Sequence, residues 1–202
     1  PTGGHTLVQC VTYSGHSPFI IPEESKRISF SDKLPERLRN YMVVANYTDY
    51  AIGQFITFLR SQKKFENTMI VITGDHEGFG LTRKPLYEHA LGKDIISPER
   101  FTPLIVLNSP VHLRYEKVMG QVDLYPTLLD LLGADDYPWR GLGESILSSG
   151  KKAFAISPQM EIIGDTVGVS TAEIQHAKDA WRVSDLIISC DYFAHGRTGD
   201  KK

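Results

Sequence analysis

The sequence is poor in the features that mark several protein classes. Only two cysteines occur in 202 residues, Cys10 and Cys190, which excludes a disulfide framework as the main staple of the fold. Neither lies in a CxxC spacing of the kind that binds metal, so the plain reading is two isolated small apolar side chains whose pairing the sequence leaves open. Basic residues are not in excess: 22 Lys and Arg stand against 24 Asp and Glu, a net charge of -2. Such a chain has no surplus cation to neutralise a phosphate backbone, and nucleic acid is excluded as a partner on bulk electrostatics. Long apolar runs are also missing. Met69–Thr73 and Leu104–Leu107 fall far short of the roughly 20 residues of a membrane span. No charged-then-apolar leader opens the chain, which reads as a soluble piece. The GxGxxG and GxxxxGK[ST] phosphate loops, the GxSxG elbow and the HExxH zinc motif are all absent.

What is present is ample core material. Hydrophobic residues make up 41% of the chain, and at roughly 150 residues per domain the length suits one domain or slightly more. Thr6–Thr12 reads as a buried strand, followed by a Ser-, Gly- and Pro-rich loop over 14–32. Leu34–Lys64 turns helical: Leu38, Tyr41, Met42, Ala45, Asp49, Ile52, Phe55, Ile56 and Leu59 recur at spacings of three and four, with Pro35 in the first turn. Thr68–Thr73 is rich in β-branched residues without alternation, the pattern of a central parallel strand buried on both faces. A second such run is Pro103–Leu107. A short helix is expected around Leu86–Leu91, a compact one over Gln121–Leu132 with Asp123 as N-cap and Gly133 past its end, a strand at Ala153–Ser157, and a last helix over Thr171–Cys190. The tail is expected to be unstructured from 194 to 202. Strands alternating with helices predict an α/β fold with a largely parallel sheet flanked by helices.

In open α/β sheets, ligands bind beyond the carboxyl ends of the strands, and two predicted strands carry polar residues there. Gly74-Asp75-His76-Glu77 ends the most apolar strand. A carboxylate and an imidazole are both ligands for a divalent cation, and Gly74 permits the turn that would bring them onto one ion. The plainer alternative is that Asp75 caps a turn and His76 is an ordinary loop histidine. At the other tip, Thr12–Phe19 contains His16, which could donate to an anionic oxygen or transfer a proton. A lone loop histidine usually does neither. His5, His112, His176 and His195 read as structural or surface residues. His89 lies in the long loop after the site strand, where functional groups concentrate, and Glu77 could orient a neighbouring ligand or simply be solvated.

Taken together, several segments resemble a known family. Val11–Phe19 (VTYSGHSPF), Tyr47–Ile56 (YTDYAIGQFI), Asn67–Glu77 (NTMIVITGDHE), Met119–Gly133 (MGQVDLYPTLLDLLG) and Trp139–Gly143 (WRGLG) are similar to the catalytic domain of the lipoteichoic acid synthase-type sulfatase family. That family belongs to the alkaline phosphatase superfamily. The resemblance covers most of Thr6 to Leu147 in the expected order.

The resemblance implies an alkaline phosphatase/sulfatase-like fold in which Asp75 and His76 are metal ligands and His16 contacts the phosphate or glycerol part of the substrate. It implies transfer of a head group from a phospholipid through a metal-coordinated threonine. Manganese is the ion of this type, with zinc typical of phosphoethanolamine transferases and calcium of true sulfatases. An imidazole ligand counts somewhat against calcium. The family's nucleophile and an acidic ligand precede the His16 segment, and no C/S-x-P-x-R motif surrounds Cys10, Cys190 or any serine. The expectation is therefore that 1–202 is the C-terminal portion of such a domain, with its core over about 5–190 and an incomplete N-terminal half. The chain alone would be inactive, and its parent membrane-anchored with the domain outside the cytoplasm. Two alternatives are a sulfuric ester hydrolase of the same superfamily and a non-catalytic binding module.

Overall fold

The computed structural model describes residues 6–76, 78, 101–134, 136–138 and 141–195. They fall into two compact units divided after Asn108. The first contains helix α1 (Glu36–Arg60) and strands β1 (Ile70–Thr73) and β2 (Leu104–Leu107). The second contains helix α2 (Leu124–Leu131), strands β3 (Phe154–Ile156) and β4 (Ile162–Gly164), helix α3 (Thr171–Ser189) and the single turn α4 (Tyr192–His195). The expected helix around Leu86–Leu91 lies outside the described residues.

Helix α1 starts one residue later than the proline suggests. Pro35 has φ -53 and ψ 132, outside the helical region, and stands just before the first turn, where its missing N–H costs nothing. Glu36 opens the helix and Arg60 ends it, each at the end whose dipole its charge complements. The apolar stripe is only partly covered. Leu38, Val43 and Val44 are buried, whereas Ala45 and Asp49 are exposed and Phe55 is 51% exposed. The core of this unit comprises Phe19, Ile21, Val43 and Val44, with Phe30, Tyr41 and Tyr47 packed against it. Helical spacing defines a face, but the loop carrying Phe19, Ile21 and Phe30 decides which part of that face leaves water. Phe19 adopts φ 63, an unusual left-handed conformation for a bulky residue, with its side chain in that core.

Two strand expectations are corrected. β1 and β2 pair antiparallel, with Ile70 opposite Leu107 and Thr73 opposite Leu104, and the sheets among the described residues are two-stranded and antiparallel. An apolar run without alternation reports burial, not strand direction. Here neither strand is wholly buried: Thr73 is exposed, as is Ile105. Asn108, with φ 55, locks the far end of the pair by donating from Nδ2 to the carbonyls of Phe65 at 2.8 Å and Thr68 at 2.9 Å. The expected first strand is not a strand. Residues 6–13 carry no ladder, and Leu7 is 94%, Val8 77% and Val11 83% exposed. A strand needs an edge to pair with, and none of the described residues supplies one.

In the second unit the expected Gln121–Leu132 helix divides into a 3-10 turn over Gln121–Asp123 and helix α2. Asp123 stands at the N-cap position of α2 as expected but makes no side-chain cap bond to it; its carboxylate reaches back to accept from the Gly120 N–H at 2.8 Å. Gly133, at φ +67, ends the helix as expected. β3 matches its expected place, while its hairpin partner β4, Ile162-Ile163-Gly164, is too short to show a period in the sequence. A Cβ at Gly164, where φ is +98, would collide with the Ala153 carbonyl, so the hairpin requires glycine there. Helix α3 is capped by Ser170, whose hydroxyl accepts from Glu173 N–H at 3.2 Å while the Glu173 carboxylate accepts from Ser170 N–H at 2.7 Å. Trp181 Nε1 donates to the Ile156 carbonyl at 3.2 Å, joining α3 to β3. Of the tail expected to be unstructured, 194 and 195 belong to the helical turn Tyr192–His195 and 196–202 lie outside the described residues.

Candidate functional site

The carboxyl end of β1 delivers Gly74, Asp75 and His76 directly after Thr73. A Cβ at Gly74 would lie 3.3 Å from Thr102, so this tip runs close against the chain entering β2. Asp75 Oδ1 accepts from the His76 N–H at 3.0 Å, the local turn contact that a plain structural reading foresees. The same carboxylate also turns its other oxygen toward the imidazole, with Oδ2 3.7 Å from Nε2. That separation exceeds a hydrogen bond, and it lies within the span of two donors each about 2.1 Å from one ion. Both side chains are open to solvent, Asp75 91% and His76 69% exposed. A carboxylate and an imidazole so placed fit a divalent cation as two of its ligands. Among the described residues no group of three or more His, Cys, Asp and Glu could hold a metal, so His16 does not join Asp75 and His76 in such a set.

His16 sits in a turn, its N–H donating to the Tyr13 carbonyl at 3.0 Å. Its ring stacks on Tyr13 with centroids 5.7 Å apart and planes 12° apart. Nδ1 is 2.7 Å from the Ser17 carbonyl oxygen. A carbonyl only accepts, so Nδ1 carries the proton, and in the neutral ring Nε2 is the acceptor. The neutral ring can therefore take a hydrogen bond from a substrate hydroxyl; only the imidazolium could give one to an anionic oxygen. His16, Tyr13, Ser14, Ser17 and Tyr47 border a cavity of about 240 Å³.

Tyr47 also borders a second, larger cavity of about 470 Å³ with Glu24, Ser25, Lys26, Arg27 and Tyr50. The Arg27 guanidinium carbon lies 3.6 Å above the centre of the Tyr50 ring. The sequence does not mark any of these residues as a site residue: they lie in the Ser-, Gly- and Pro-rich stretch over 14–32 and in the helix that follows it. The 3-10 turn Glu23–Ser25 gathers them with Tyr47 and Tyr50 of α1.

The second unit holds a buried polar cluster that sequence reasoning also missed. Lys151 Nζ lies 3.0 Å from Asp123 Oδ2, with the two side chains 9% and 4% exposed, and Asp123 Oδ1 accepts from the Glu144 N–H at 2.9 Å. Thr127 Oγ1 donates to the Asp123 carbonyl at 2.7 Å and accepts from Ile146 N–H at 3.1 Å. The Tyr115 hydroxyl is shut away from water without a hydrogen-bond partner. Burial, followed by the charges of Asp123 and Glu144, holds its pKa above the usual value for tyrosine.

Cys10 and Cys190 are both free and exposed, two isolated side chains with no disulfide between them. His112 and His176 are exposed, as surface residues should be. His5, Glu77 and His89 lie outside the described residues, as does the side chain of His195.

The sulfatase family model matches residues 2–134, a span that includes both the His16 turn and the Asp75-His76 tip. The chain belongs to the sulfatase family. Within that family it is of the lipoteichoic acid synthase type. It is 32% identical over 155 residues to the lipoteichoic acid synthase-like YvgJ of Bacillus subtilis (strain 168), covering 72% of this chain and 25% of that protein. It is 30% identical over 146 residues to the lipoteichoic acid synthase of Staphylococcus aureus (strain USA300), covering 69% of this chain and 22% of that protein. The chain thus spans about a quarter of the length of these relatives. Membership in the sulfatase family carries the α/β class expected from the alternation of elements, although the described strands pair antiparallel. No helix of the described residues is long and apolar enough to cross a membrane.

Proposed function

We propose that this chain is the metal- and substrate-binding part of an enzyme that transfers a phosphoglycerol head group from a phospholipid to an acceptor alcohol. The observation that carries the reading is the pairing of Asp75 with His76 at the exposed end of β1, donors 3.7 Å apart, inside the span of the sulfatase match. Asp75 and His76 hold a divalent ion, manganese in this proposal, with zinc and calcium as the competing ions. When bound, the ion lowers the pKa of a hydroxyl nucleophile and offsets charge on the phosphoryl oxygens. That nucleophile and the remaining ligands come, in this proposal, from a segment outside these 202 residues, and the parent protein is membrane-anchored with this domain outside the cytoplasm.

The role of His16 follows from its tautomer. With Nδ1 committed to the Ser17 carbonyl, Nε2 accepts a hydrogen bond from a glycerol hydroxyl and so orients the head group, while Tyr13 fixes the ring plane by stacking. The Asp75–His76 contact keeps the two ligands side by side.

The test has two parts. Calorimetric titration of the 202-residue chain should show one Mn2+ site that Asp75→Ala and His76→Ala each weaken at least tenfold, the cost typical of lost metal-site groups. The chain alone should not turn over a chromogenic phosphodiester. A protein extended to the relatives' full length should do so with Mn2+, and lose the activity in Asp75→Ala. Turnover of a sulfate ester in place of the phosphodiester would favour a sulfuric ester hydrolase, and full-length protein without either activity a binding module.

A further inference from the structure

We propose that Tyr41 is a positioning residue, the side chain that sets the substrate-binding turn of His16 against the metal-binding tip of β1. The proposal rests on the roles given above to His16, Asp75 and His76 and adds a residue to that site. Tyr41 packs against the buried core of Phe19, Ile21, Val43 and Val44. Its ring and that of Phe19 meet at 83°, centroids 5.3 Å apart, while its hydroxyl end fills the space that a Cβ on Gly78 would take. Glycine at 78 leaves that room. A single side chain of α1 therefore meets the residue three places after His16 and the residue two places after His76.

The backbone carries each contact to the groups of the site. On the turn side, Phe19 N–H donates to the His16 carbonyl at 3.1 Å and His16 N–H to the Tyr13 carbonyl at 3.0 Å. Phe19 holds a left-handed conformation, φ 63, which a bulky residue keeps only where its surroundings impose it. Tyr41 is one of those surroundings. Arg37, one helical turn earlier on α1, is another, its guanidinium carbon 5.2 Å from the centre of the Phe19 ring. On the tip side, Asp75 is 91% and His76 69% exposed, so core packing does not place them and the backbone between Thr73 and Gly78 must. In the proposed reaction the group that orients the head group and the residues that hold the ion serve one phosphate. A displacement of about 1 Å between such groups costs on the order of a hundredfold in rate. Tyr41 touches the carriers of both.

The experiment is proton–nitrogen NMR of the full chain, with circular dichroism to confirm that each variant is folded. Phe19→Leu is expected to shift the amides of Asp75, His76 and Gly78 as well as those of the His16 turn. In a Tyr41→Phe background, which keeps a ring against Phe19 but takes the hydroxyl away from Gly78, the response at the tip should fall to less than about half, the mark of coupling through a shared partner. If Phe19→Leu does not fold, Arg37→Gln, which removes the cation from the same ring, replaces it. A tip that ignores the change, or that answers it equally in both backgrounds, overturns the proposal. Added Mn2+ gives a second readout. Its relaxation of the His16 ring signals falls steeply with distance, so Tyr41→Phe should alter that relaxation while Mn2+ affinity stays the same, a separation that a merely stabilising tyrosine does not produce. Unaltered relaxation overturns the proposal as well. Mn2+ that leaves the Asp75 and His76 amides sharp in the native chain would instead sink the reading of the tip as an ion site. The metal-free response to Phe19→Leu then still decides whether Tyr41 joins the two segments.

Discussion

Tyr41 stands edge-on to Phe19, ring centroids 5.3 Å apart and planes at 83°, and its hydroxyl end occupies the space a Cβ on Gly78 would need. One side chain of α1 thus touches both the loop that follows His16 and the segment two residues past His76. Gly78→Ala should force Tyr41 off the Phe19 ring at a cost of about 1–3 kcal/mol, as overpacking does. Urea denaturation would measure it, and in a Tyr41→Leu background the same change should cost less than half as much. An equal cost in both backgrounds would mean that Tyr41 is not the group in the way.

That relationship also shows where sequence reading reached its limit. The Gly74–His76 tip was legible as the end of a strand because its polar residues follow the β-branched stretch of Met69–Thr73, whereas Thr12–Phe19 forms a turn that ends no strand. Helix α1 and strands β1 and β2 were legible as elements, though not as buried parallel strands, since periodicity and composition are local properties. Strand direction, the burial of Val43 and Val44 in place of Ala45, and the two hollows that share Tyr47 were not. Each depends on which distant segment lies alongside, and spacing along one helix carries no information about its neighbour. The capping pair Ser170 and Glu173 was a missed local signal, a serine followed three residues later by glutamate.

The Asp123–Lys151 pair should be costly to break from one side. With both side chains nearly inaccessible and the carboxylate also accepting from Gly120 and Glu144, Asp123→Ala leaves an ammonium without its counter-charge. It also leaves two backbone donors without their acceptor. A loss of about 3–5 kcal/mol is expected. Replacing both partners, Asp123→Ala with Lys151→Met, should lose less than the sum of the two single changes, because the second no longer strands a buried charge. Urea unfolding of the four proteins gives the coupling directly, and strict additivity would show that the pair does not act as a unit.

Tyr115 offers a change that should stabilise. Its hydroxyl is buried without a partner, so Tyr115→Phe removes an unsatisfied group and should add about 1 kcal/mol. The raised pKa of this phenol sets a pH dependence as well. The folded state holds the proton more tightly than the unfolded one. Its contribution is therefore complete below the ordinary tyrosine value of about 10 and is lost as pH climbs through the higher folded value. Absorbance titration should show one of the nine tyrosines ionising late, and Tyr115→Phe should remove that phase. A titration in which no late phase disappears would place the Tyr115 hydroxyl in contact with water.

The cap of α3 makes the opposite prediction at low pH. Hydrogen bonds from the Ser170 backbone N–H and hydroxyl lower the pKa of Glu173, because both favour the ionised carboxylate. Its contribution is present above the ordinary glutamate range and is lost as pH falls through the depressed folded value. Helicity of α3 should accordingly decline on acidification in the native chain and be less sensitive to acid in Glu173→Gln. Ser170→Ala removes the hydroxyl that accepts from Glu173 N–H and should cost about 1 kcal/mol at neutral pH. Because Glu173 then retains only the backbone donor, its carboxyl should titrate closer to the ordinary value. Side-chain carbon shifts followed by NMR across the acid range would show this directly. An unmoved Glu173 titration in Ser170→Ala would show that the hydroxyl contributes nothing and leave the shift to the backbone N–H and the charge of Lys152.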